Sequence, residues 1–252
     1  MSQGAVGIET VDWEAVHRLS FVDEPGCWTS GCQSYCCTHK SDLLAFSILT
    51  GGAGMIFFEA EYDYLRASGR LQKGFESHAK RMSYELAPGL HLRFVLSKCE
   101  LNGICTIRES RPLCCKLYPF LPRVDPATSA LTGFVSGTVF DAFWPVLGVP
   151  HPCTLAREKA DAVQARMKPS LTRLLGHPYF LFHFRAVEIL LDRISEGLDA
   201  LKRAHAGIDA RALSRKWELL YLTGKAFDGG RLRADLLHAY STVAARFPGF
   251  EI

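Results

Sequence analysis

Apolar residues recur every three or four positions through the second half of the chain, and that spacing predicts helices. After Pro178, the residues Phe180, Phe184, Val187, Leu191, Ile194 and Leu198 make one stripe of a long helix. Leu213, Trp217, Leu220 and Tyr221 line a helix over residues 209–222, and Leu232, Leu236, Tyr240 and Val243 line another over 231–247. Residues 154–174 read as a helix capped by Thr154 and kinked at Pro169. Gly176, Gly207 and the Gly229-Gly230 pair mark the breaks. Phe180, Phe182 and Phe184 read as core ahead of an apolar pocket or a partner surface.

Before residue 154 the pattern is less regular. A helix is predicted from Ser41 or Asp42 through Leu49, stopped by Gly51-Gly52. Further helices are predicted over 59–67 and 72–86. Residues 91–97 and 104–108 read as strands joined through an Asn102-Gly103 turn, and 130–140 as extended chain. The expected fold is mainly α. A cysteine-rich, irregular metal- or cluster-binding region with short strands, residues 1–153, packs on a helical bundle, residues 154–252.

Composition narrows the function classes. The chain has 252 residues, 48% hydrophobic and 22% charged, which is enough for a sizeable core without help from a metal. With 29 Lys and Arg against 26 Asp and Glu there is no dense basic face, so no nucleic-acid partner is expected. No apolar run reaches the ~20 residues of a membrane helix, so no membrane partner is expected either. The first residues carry neither a basic nor an apolar leader segment, which predicts a cytoplasmic, reducing location. Clustered cysteines there bind metal more often than they pair as disulfides.

The chemistry lies in the cysteines. Four of nine fall in Cys27-Trp-Thr-Ser-Gly-Cys32-Gln-Ser-Tyr-Cys36-Cys37, four follow at Cys99, Cys105, Cys114 and Cys115, and Cys153 stands alone. An odd count leaves a thiol over after any disulfide pairing. Thiolate is a soft ligand suited to zinc, copper(I) and iron–sulfur clusters. The absence of a Cys-x-x-Cys knuckle weakens a zinc ribbon and puts an iron–sulfur cluster, such as 4Fe-4S, level with zinc or slightly ahead of it. Adjacent cysteines such as Cys36 and Cys37 project in different directions, so they are expected to serve neighbouring sites, or one of them structure. Arg111, between ligand positions, reads equally as a charge partner for thiolates and as a surface arginine before a turn.

These residues resemble a family. The first cysteine run, followed by Lys40-Ser41-Asp42-Leu43, is similar to the opening of the YkgJ-like (CxxCxxCC) zinc- or iron-chelating proteins. The second run, from Cys99 through Cys105, Glu109, Arg111-Pro112, Cys115 and Pro119, looks like that family's second block. Cys153 stands where its late cysteine closes the pattern. Arg108 and Lys116 replace the family's usual Tyr and Arg, and the first spacings are longer. The resemblance covers residues 27 to 153. It implies metal ligation by Cys27, Cys32, Cys36, Cys37, Cys99, Cys105, Cys115 and Cys153, and gives Cys114 no counterpart. Some relatives resemble flagellin lysine-N-methylase, which implies a cluster-dependent enzyme or protein-modification factor. No S-adenosylmethionine loop is recognisable here. The alternative is non-enzymatic: metal storage, delivery to a protein client, or a zinc-stabilised interaction scaffold. Whether the chain is an enzyme stays open.

Other candidates carry less. His39 and His151 flank cysteines and read first as loop residues, second as ligands or hydrogen-bond donors to them. His177 and His183 read as ordinary core or surface histidines. Glu59, Glu61 and Asp63 read as a solvated helix face before a carboxylate ligand set. Gly51-Gly52-Ala-Gly54 lacks the residues of a phosphate loop and reads as a helix stop. Gly133-Phe-Val-Ser136-Gly137 is not a nucleophile elbow, because the serine is one place late.

Overall fold

A computed structural model describes residues 11–22, 32, 34–39, 41–47, 53–100, 105 and 110–252. Helix α9, Pro178–Ala204, is its axis. Pro178 occupies the first turn, where its missing N–H costs nothing, and the His177 ring accepts the Tyr179 N–H. Tyr179, Leu181, Phe182, Ile194 and Leu198 on this helix are fully buried. The three phenylalanines are therefore core. Against α9 pack α6 (Phe143–Leu147), α8 (Ala160–Leu175), α10 (Ala210–Leu222) and α11 (Gly229–Arg246). Asp209 and Asp228 accept the first free N–H groups of α10 and α11. The 154–174 segment is split: α7, Thr154–Glu158, ends at Lys159, and Cys153 rather than Thr154 holds its N-cap position.

The first half carries more β-structure than its pattern predicts. β1 (Ala53–Phe58), β2 (Lys80–Ala87) and β3 (Leu90–Cys99) form an antiparallel sheet in the order β1-β3-β2. The β1–β3 register runs from Ala53 opposite Cys99 to Phe58 opposite Phe94. β4 (Phe120–Asp125) and β5 (Ala130–Ser136) make a second, two-stranded antiparallel sheet. Short helices α1 (Trp13–Arg18), α2 (Tyr35–Thr38), α3 (Glu59–Ala67), α4 (Lys73–Ser77) and α5 (Leu113–Leu117) surround them.

The expected fold class is thus corrected. Among the described residues helices take 53% and strands 17%, and the strands of the first half build two antiparallel sheets where an irregular region was expected. Among the described residues, no three Cys, His, Asp or Glu side chains gather as a group able to hold a metal ion. Residues 72–86 are not one helix. After α4 they turn into β2, whose Arg81, Ser83 and Glu85 alternate with Met82, Tyr84 and Leu86. Residues 41–47 are not helical either, since Arg211 and Ser214 of α10 bind the Asp42 carbonyl and the Ala45 N–H. The 59–67 helix and the 91–97 strand stand where predicted, as α3 and β3. The 104–108 strand lies outside the described residues, apart from Cys105.

The main core crosses residue 153. Trp13, Leu86, Leu113, Leu117 and Val124 pack with Tyr179, Phe182, Leu236 and Phe250 in one cluster. Polar links reinforce it: Arg123 of β4 pairs with Glu188 at 3.0 Å and with Asp192 at 2.8 Å, both on α9. Among the described residues, no helix is long and apolar enough to cross a membrane.

Candidate functional site

Two one-turn helices bring cysteines to β1. α2 carries Cys36 and Cys37, α5 carries Cys114 and Cys115, and both pack on β1. Cys99 ends β3, opposite the first residue of β1. Three distant stretches of sequence thus deliver thiols to one end of the first sheet.

α2 is bracketed by Ser34 (φ 55°) and His39 (φ 48°), both left-handed without being glycine. Such residues cost about 1–3 kcal/mol each and persist where packing over-determines them. Here the packing comes from Tyr35, whose hydroxyl accepts the Trp144 indole N–H at 3.0 Å, and from buried His39 against Phe140. The pair between them is left half-buried.

α5 is fixed differently. Pro112 starts it, and buried Leu113 and Leu117 anchor it. The carboxylate of Glu61 on α3 accepts the Leu113 N–H at 2.6 Å. His17 Nε2 lies 3.3 Å from the same oxygen, and the buried Lys116 ammonium donates to the His17 carbonyl. Glu61 is 1% exposed, so the solvated face expected for it is wrong.

All described cysteines are free thiols. The Cys36 and Cys37 sulfurs stand 3.6 Å apart. A hydrogen bond from Cys36, with Arg111 adding its charge, draws the Cys37 thiol down from the usual 9.0 to about 7 in spite of burial. The Cys115 thiol is pushed well up by its hydrogen bond with Cys114 and by burial, and Cys37 and Cys99 act on it in the same sense. It contacts the Met55 sulfur at 3.9 Å. Cys114, left out of the expected ligands, belongs to this group.

Cys153 lies within electrostatic reach of Cys32 and Asp141. Burial, Cys32 and Asp141 together raise the Cys153 thiol to about 11. Asp141 is fully buried. It accepts the Thr138 N–H at 3.0 Å and the Tyr118 hydroxyl at 3.5 Å, and His151 Nε2 lies 3.2 Å away. The His151 Nδ1 accepts the Cys153 N–H at 3.0 Å. Both histidines read as loop residues are therefore enclosed: His39 has its Nδ1 buried and unpaired, and burial lowers its pKa. Sequence reasoning missed Asp141, although an acid inside the aromatic run Phe140–Trp144 is the signal for it. Cys27 lies outside the described residues, and nothing in the described structure joins Cys105 to either group.

Two thiolates on one tetrahedral ion with 2.3 Å bonds lie about 3.8 Å apart. The Cys36–Cys37 separation of 3.6 Å is close to that edge. In a four-iron cluster each iron takes its own thiolate, so an adjacent pair at this spacing fits a single ion, or one iron of a two-iron cluster, better. This pair alone does not make a metal site, because no third donor is gathered with it among the described residues.

No family model, curated protein or solved structure matches this chain. The YkgJ-like resemblance rests on the residues quoted for it.

Proposed function

We propose that the chain is a thiol-based metal-handling protein in which Cys36 and Cys37 capture a soft metal ion and Cys99 and Cys115 complete its ligation. The observation that carries this reading is the 3.6 Å approach of two reduced sulfurs, one of them ionising near neutral pH. Zinc is the preferred ion on that spacing, ahead of an iron–sulfur cluster. The metal would supply Lewis-acid or structural chemistry, and the cytoplasm would keep the thiols reduced.

The half-buried state of Cys36 and Cys37 supports an exchangeable ion, handed to or taken from a protein client, over a closed structural one. Cys32 and Cys153, beside a buried carboxylate, belong to the support of α2.

Zinc affinity measured by competition with a chromophoric chelator tests the assignment. Cys36→Ser, Cys37→Ser and Cys115→Ser are expected to weaken binding by roughly 100-fold or more, and Cys153→Ser to leave it near wild type. Equal affinity across all four variants would remove these thiols from any metal site.

A further inference from the structure

Away from the thiols, a shallow, open cleft of about 430 Å³ lies between α1, the end of α8 and the start of α9. Its wall is apolar, made by Val16, Leu19, Leu174 and Phe180. Arg18 and Arg173 reach it from two different elements, and both are exposed. Neither guanidinium makes an ion pair or hydrogen bond among the described residues.

The acids nearby are already engaged. Glu14, one turn before Arg18, accepts from Tyr64 at 2.6 Å and pairs with Arg70 at 3.2 Å. Asp12, at the rim, accepts the Ala15 N–H at 2.9 Å and caps α1. Two guanidiniums thus line one apolar surface, with the Asp12 carboxylate at its rim. Ligand sites run to about 300–1,000 Å³ and combine apolar walls with a few convergent polar groups, which is this arrangement. Guanidinium binds carboxylate through paired N–H donors. The amino end of α9 opens at the same place and adds potential of the same sign.

We propose that this cleft binds a small organic carboxylate with an apolar body. Arg18 and Arg173 hold the carboxylate, and Val16, Leu19, Leu174 and Phe180 cover the chain or ring. The site is separate from the thiol centre and does not depend on it.

Calorimetric titration of the full chain with octanoate tests this, with octanol and inorganic phosphate as single-feature controls. Octanoate is expected to bind saturably at one site, and each control at least about tenfold more weakly, since one lacks the charge and the other the apolar body. The Arg18→Ala/Arg173→Ala double variant is expected to lose octanoate by about tenfold or more. The Arg18→Lys/Arg173→Lys variant keeps the charge and loses the fork, so it falls between, and it decides the matter should the alanine variant not fold. Absent octanoate heat, phosphate binding as tight as octanoate, or double variants that bind octanoate like wild type would overturn the proposal.

Discussion

The carboxylate of Glu61 holds the backbone of Leu113, 52 residues away, at 2.6 Å, and both residues are buried. It supplies the acceptor that the start of α5 needs, because Pro112 offers no side-chain cap. The position of Cys114 and Cys115 therefore depends on a residue of α3.

Replacing Glu61 by Ala leaves the Leu113 N–H without its acceptor and removes the carboxylate beside the His17 ring. The expected loss is about 3 kcal/mol in urea unfolding, with Cys115 becoming open to alkylation in the native state. Glu61→Gln keeps an acceptor and is expected to cost less. Unchanged unfolding midpoints for both variants would remove Glu61 from the support of α5.

Cys37 should be the most reactive thiol at neutral pH. In chelator-treated protein its alkylation by iodoacetamide is expected to reach half its maximal rate near pH 7, while Cys153, held near 11, stays slow. Because the folded pKa lies below the usual 9.0, the stability this thiolate contributes is present above pH 9 and is lost as pH falls through 7. Cys36→Ala or Arg111→Ala should move the labelling midpoint upward. A wild-type profile centred at 9 contradicts the pairing.

His183 is buried against Tyr179 and Phe58, and its Nδ1 donates to the Tyr179 carbonyl at 2.7 Å. Burial pushes its pKa down to about 4 from 6.5, so the unfolded chain takes up a proton first. Stability is then full above pH 6.5 and falls by roughly 3 kcal/mol as pH drops to 4. His183→Phe keeps the ring packing and should flatten that slope in unfolding curves measured across the window. Parallel wild-type and variant curves would rule this histidine out as the source.

Gly197 lies inside α9, where alanine ordinarily improves a helix by roughly 1 kcal/mol. A Cβ there would stand 2.1 Å from the Ala226 carbonyl oxygen. Gly197→Ala is therefore expected to destabilise by about 3 kcal/mol, read as a fall in melting temperature. A rise in melting temperature would show that the segment carrying Ala226 yields freely.

Where a segment's own pattern decides its structure, the sequence was informative. The α9 stripe, the 209–222 helix and the 59–67 helix depend on neighbours three or four residues apart. β2 was hidden because Lys80, Arg81, Ser83 and Glu85 are compatible with a helix, and its alternation was the overlooked clue. β4 was missed because its partner β5 supplies half of the hairpin, through a turn in which Asp125 accepts the Ala127 N–H at 2.9 Å and the Thr128 hydroxyl at 2.7 Å. Cysteine spacing drew attention to the thiols, but it could not reveal that Cys114 joins Cys115, or that Cys153 lies within electrostatic reach of Cys32 and Asp141. Glu61 was illegible for the same reason, since its burial comes from groups on α1 and α5.

The most direct measurement of the central claim is zinc, iron and acid-labile sulfide per chain in protein purified without oxygen. The account predicts about one zinc per chain, no sulfide, and release of the zinc when Cys36 and Cys37 are both replaced by Ser. Protein that is metal-free as purified and takes up neither zinc nor iron on addition would contradict it.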